Sequence, residues 1–162
     1  MSLFEDSRYL YRDTLFVFLQ KGNRPALNDL QNCLSGLGEK YRFQIIKTTE
    51  KDGVEYLESG TLFSPQDYSA MDIVYVQGPE VQEQVAEIFQ DFKTVTVTGE
   101  DRKKLEVLTK SDARFDIFHF GEVITGGDDD EILDPGGLLL VLERLAELTH
   151  GVSFDPQSQD LN

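Results

Sequence analysis

Tryptophan is absent, cysteine occurs once and histidine twice in this chain of 162 residues. A lone Cys33 excludes an intrachain disulfide and any cysteine-based zinc site, and fits a reducing compartment. Basic residues are also scarce, fifteen against thirty acidic ones, for a formal charge of −15. Such a field repels a phosphate backbone and an anionic membrane, so neither nucleic acid nor membrane is an expected partner. Apolar runs are short; the longest, such as Leu138 to Leu142, cannot cross a bilayer, and the first residues lack a basic, hydrophobic signal. The expected location is the cytoplasm. With 40% hydrophobic residues, eleven Phe and six Tyr, the chain nevertheless has the apolar mass of a folded domain.

Helix punctuation is the clearest local signal. Proline suits the first helical turn, where its missing N–H would have no partner. Pro25 precedes Leu27, Leu30, Leu34 and Leu37; Pro79 precedes Val81, Val85, Ile88, Phe89 and Phe92; Pro135 precedes Leu138, Val141, Leu142, Leu145 and Leu148. Steps of three and four residues give each helix one buried stripe. Gly38 and Gly151 are the expected stops of the first and third.

Between the helices, segments rich in β-branched and aromatic residues read as strands: Thr14–Gln20, Tyr41–Thr49, Val54–Phe63, Ala70–Gln77, Thr94–Thr98, Leu105–Thr109 and Arg114–Phe120. Leu15–Leu19 and Ile73–Val76 are apolar without alternation, as central strands are. Lys51-Asp52-Gly53 and Lys110–Ala113 read as hairpin turns, and Gly126 to Asp130 as a loop. The expected fold class is α+β, with an antiparallel or mixed sheet of about six to seven strands, helices mainly on one face, and a C-terminal helix. The expected layout is a flexible segment at 1–12, a single domain at 13–151 with its last helix at 135–150, and a tail at 152–162.

Leu15–Gly22 followed by Pro25, and Asp72–Gly78 followed by Pro79, are two similar strand-to-helix junctions. They divide the domain into pseudo-repeats 13–63 and 70–121, each strand-helix-strand-strand. This order resembles bacterial effector-binding domains built from a duplicated motif of that kind, and is similar to ferredoxin-like and ACT-type regulatory domains. The resemblance is one of topology and implies a sheet whose second face is open to a small ligand or a second subunit.

The acidity is concentrated: residues 121–162 hold ten acidic side chains and one basic one, Arg144. Asp128, Asp129, Asp130 and Glu131 do not follow the EF-hand spacing, and with Asp134 they read as a helix-entry loop, with no metal expected. These four acids, with Leu139 and Leu140 flanking the apolar stripe, are the expected interaction surface for a protein partner, a basic one in particular. His119 shares strand parity with Phe115 and Ile117, away from Asp116, and is the lesser pocket candidate. His150 closes the third helix. Cys33 reads as a small core residue, no serine has a nucleophile context, and no cofactor motif is present. The expected function is therefore a non-catalytic binding or regulatory domain for a protein partner or small ligand. The alternatives are an effector domain using the open sheet face, a homodimer, and an enzyme built on an unrecognised carboxylate or histidine.

Overall fold

The computed structural model describes residues 3–38, 41–64, 68–92, 99–122 and 136–161. The elements run β1 (Tyr9–Leu19), α1 (Leu27–Ser35), β2 (Arg42–Lys51), β3 (Val54–Ser64), β4 (Ser69–Gln77), α2 (Pro79–Phe92), α3 (Gly99–Thr109), β5 (Ala113–Glu122), α4 (Gly136–Thr149), β6 (Val152–Asp155) and β7 (Asp160–Leu161). Among the described residues the strands form one seven-stranded sheet in the order β2-β3-β4-β5-β1-β6-β7. Every neighbouring pair is antiparallel. The class is α+β. Among the described residues, no helix is long and apolar enough to cross a membrane.

The two unalternating runs lie in interior strands, β1 and β4, on either side of β5. On one face Leu15, Val17 and Leu19 of β1, Met71, Ile73 and Tyr75 of β4, and Phe115 and Ile117 of β5 pack against Leu30 and Leu34 of α1 and Val141, Leu142 and Leu145 of α4. On the other, Phe18 packs with Val81, Val85 and Ile88 of α2, Leu105 and Leu108 of α3, and Val152 and Phe154 of β6. Helices therefore cover both faces, which corrects the expectation that they lie mainly on one. The physical reason is in β1 itself: successive side chains point to opposite faces, so the run Leu15–Leu19, apolar at every position, needs cover on both sides.

The second half also departs from the expected repeat. Leu105–Thr109 belongs to a helix, and the order β4-α2-α3-β5 does not repeat β1-α1-β2-β3. With α1 and α2 on opposite faces, neither the duplication nor the ferredoxin-like resemblance finds support in the topology. Leu105 and Leu108 are the buried residues of α3, three apart among charged neighbours, which is one turn of a helix. Lys110–Ala113 is accordingly a helix-to-strand connection; the Asp112 carboxylate accepts the Lys21 backbone N–H at 2.7 Å, while the Asp112 N–H donates to the Leu19 carbonyl at 3.1 Å.

Other punctuation holds in part: α1 ends at Ser35 with Gly36 as its cap, ahead of the expected stop at Gly38. Pro79 opens α2 as expected, whereas α1 begins two residues after Pro25, at Leu27. Asp52 and Gly53 both have positive φ, 53° and 79°, as a two-residue type I′ hairpin turn requires. The ordered domain extends beyond 13–151: β1 begins at Tyr9, Leu3 is buried with Ala70 and Phe120, and β6 and β7 follow α4. Thr94–Thr98, the loop from Gly126 to Asp130, and Pro135 lie outside the described residues.

Candidate binding site

A cleft of about 700 Å³ opens at the sheet edge where β6 passes between α3 and α4. These two helices cover opposite faces of the sheet, and beyond β1 the sheet narrows to a four-residue and a two-residue strand. Because, among the described residues, β7 pairs with β6 through Phe154↔Leu161 and Asp155↔Asp160, the start of β6 faces the cleft. Its floor is apolar, formed by Leu142 and Val152, both buried, with Val107 and Ala146 half-buried. Lys103 and Lys104 of α3 stand on one wall and Glu143 and Glu147 of α4 on the other. Lys104 Nζ donates to the Leu161 carbonyl at 3.4 Å, tying β7 to that wall. The Glu147 carboxylate lies 3.8 Å from the exposed Arg144 guanidinium.

Local structure at the end of α4 brings β6 to this position. His150 adopts the left-handed conformation, φ 54°, and the Gly151 N–H donates back to the Ala146 carbonyl at 2.9 Å. With the longer His150 N–H to Glu147 carbonyl contact, this is the Schellman ending, and it turns the chain directly into β6. Gly151 was the expected stop; His150 is the residue that takes the left-handed position.

Leu139 is 55% exposed and lines the cleft, whereas Leu140 is half-buried and does not. Asp128, Asp129, Asp130 and Glu131 lie outside the described residues. His119 is buried, and its Nδ1 sits 3.1 Å from Asp13 Oδ1, directly opposite it in the β1–β5 register. Parity does place Asp116 on the other face. There Arg114 donates to it through Nε at 2.6 Å and to Gln84 through an NH at 2.6 Å. Burial pushes the Asp116 carboxyl up, outweighing the Arg114 hydrogen bond. His119 does not line the cleft. Cys33 is half-buried, near the Arg144 carbonyl, and burial raises its thiol. Among the described residues, no three His, Cys, Asp or Glu side chains gather as a metal site.

Among the described residues the centre of the sheet is not open as expected. In β4 and β5 the side chains from Ser69 to Ile73 and from Phe115 to Ile117 are buried, and Thr14, Phe16, Val74 and Phe118 on the α2 side are half-buried.

A second polar cluster holds the β2–β3 hairpin to the domain. The Arg24 guanidinium stacks 3.7 Å from the Tyr75 ring centroid and 5.0 Å from that of Tyr56. It donates to the Leu57 carbonyl at 2.8 Å and to Glu58 at 3.1 Å, and Glu58 also accepts from Thr49 at 2.8 Å. Burial pushes Glu58 up, but the Thr49 and Arg24 hydrogen bonds outweigh it and hold the carboxyl below its ordinary value. Burial raises the Tyr75 phenol from its ordinary 10 to about 12, although Arg24 opposes the shift. A phenol raised in this way stabilises the fold below pH 10, and that contribution is lost as pH rises through 12. Following phenolate absorbance in the native protein and in Tyr75→Phe, we expect the difference to be a transition near pH 12. A difference centred on the ordinary tyrosine range would refute this account of the cluster.

No protein-family model matches the chain, and no curated protein and no solved structure does.

Proposed function

We propose that the chain is a non-catalytic binding domain that holds a protein partner in the cleft between α3 and α4. The observation that carries this reading is the apolar floor: a concavity of about 700 Å³ with Leu139 left 55% exposed at its rim. That volume falls within the range of ligand-binding pockets, and apolar surface lined by a few charged groups marks recognition sites in general. A charge of −15 favours a partner of net positive charge over a second copy of the chain. The charge steers the encounter, while the apolar floor supplies affinity that salt does not remove.

Anilinonaphthalene sulfonate, an apolar fluorophore with one negative charge, is a direct probe of this floor. It is expected to bind once, with amide shift changes at Val107, Leu139, Leu142, Ala146 and Val152. Leu139→Ser, at an exposed position and without added charge, should leave the fold intact and weaken the dye about tenfold, or 1.4 kcal/mol. Shift changes elsewhere, or equal affinity in the variant, would overturn the reading.

A further inference from the structure

We infer that the occupant of this cleft is an amphipathic α-helix of the partner, with a basic flank lying over Glu143 and Glu147 and an acidic residue over Lys103. The inference rests on the reading of the cleft as a protein-binding site and adds the chemistry of the occupant.

Leu139, Leu142 and Ala146 are spaced by three and then four residues along α4, so the apolar line extends about 10 Å parallel to the helix axis. Glu143 and Glu147 are four apart and form a parallel acidic line, its members about 6 Å from one another. On the opposite wall Lys103 and Val107 are again four apart. A groove walled by ridges of this period accepts the ridge of a third helix, whose own side chains recur every three or four residues. Recognition of that kind uses anchors at i, i+3 or i+4, and i+7, which matches the line on α4.

An added strand fits less well. The Gly151 N–H, just before β6, is already given to the Ala146 carbonyl, so it is not free to extend that edge to an incoming strand. A ligand with one acidic head would answer the lysines and leave Glu143 and Glu147 facing an apolar tail. A helix carrying opposite charges on its two flanks answers both walls. These exposed charges set orientation and partner choice more than affinity.

The test uses the full chain and a synthetic peptide of about 18 residues, five helical turns, with leucines at i, i+3, i+7 and i+10, lysines on one flank and glutamates on the other. The peptide is expected to displace anilinonaphthalene sulfonate and to gain helicity on binding, by circular dichroism; a scrambled peptide of the same composition should do neither. Lys103→Glu, and separately Glu143→Lys with Glu147→Lys, should each weaken the peptide three- to tenfold. All three residues are exposed, so the fold is expected to persist in these variants. Combining the three substitutions reverses the charge at position 103 and along the α4 wall, while Lys104 stays on the Leu161 carbonyl; the peptide can then bind reversed end for end, so affinity should rise above that of either partial variant. If the dye binds but the peptide neither displaces it nor gains helicity, or the scrambled peptide competes equally, the helix is wrong and the cleft reading stands. If the triple variant does not recover, the pairing of flanks with walls is wrong. If neither dye nor peptide binds, the cleft reading itself fails.

Discussion

Phe115→Ala is expected to destabilise the protein by about 4 kcal/mol, near the upper end of what one core truncation does. Phe115 is 1% exposed, near the start of β5, with Val17 opposite it on one side and Tyr75 on the other. Its ring meets Tyr75 edge-on, centroids 5.3 Å apart at 61°, within the cluster shared by α1 and α4. Removing the ring loses its transfer free energy and leaves a space that two strands and two helices must relax to fill. None of them can do so alone, since β5 is held on both sides by β4 and β1. For a chain of this length the melting temperature should fall roughly 8–16 °C. Urea unfolding should show a lower midpoint at an unchanged slope. Phe16→Ala, at a half-buried position on the opposite face, should cost less. A loss below 1 kcal/mol for Phe115→Ala, or a larger loss for Phe16→Ala, would mean the α1–α4 face is not the principal core.

What the sequence disclosed, and what it did not, follows from the range of the interaction involved. Leu15–Leu19 and Ile73–Val76 were legible as interior strands because a strand buried on both faces needs no alternation, and Pro79 was legible because its effect is confined to one turn. The same runs implied cover on both faces. Grouping the helices on one face followed the apparent repeat instead, and the repeat was carried by junctions a few residues long. Helix α3 is not legible because Leu105 and Leu108 are its buried residues, and a stripe that short within Leu105–Thr109 satisfies a strand reading as easily as a helical one.

The site was legible at a single point. Leu139 stood out because it flanks the stripe of its own helix, a property of local sequence. The opposite wall, Lys103 and Lys104, lies more than thirty residues earlier, and the floor residue Val152 comes from β6, in a segment that reads as a tail by local sequence. Only the path of the chain around the sheet edge brings them together. The Asp13–His119 pair is of the same kind: parity placed His119 correctly, but its partner is set by the β1–β5 register, which no local pattern specifies.

Gly151→Ala is expected to cost about 3 kcal/mol, the order of an overpacked core site, because a methyl group there would run into the backbone carbonyl of Phe18. The carbonyl cannot easily retreat, since β1 is held between β5 and β6. The Thr149 hydroxyl, which the methyl would also meet at 2.9 Å, is itself donated to the Leu145 carbonyl at 2.7 Å. Replacing glycine by alanine ordinarily stabilises slightly by restricting the unfolded chain. Gly22→Ala, where nothing lies within 4 Å of the added carbon, is therefore the control and should be neutral or better. The melting temperature of Gly151→Ala should fall roughly 6–12 °C. A functional consequence follows, because Gly151 and Val152 line the cleft and the N–H of Gly151 closes α4. Displacing the α4–β6 junction shifts the floor relative to Lys103 and Glu143, so the variant, kept well below its transition, should also bind anilinonaphthalene sulfonate more weakly. Stability within 1 kcal/mol of the native protein would show that β1 and β6 do not approach as closely as the Phe18 carbonyl implies. A large loss of stability with unchanged dye affinity would separate the junction from the site.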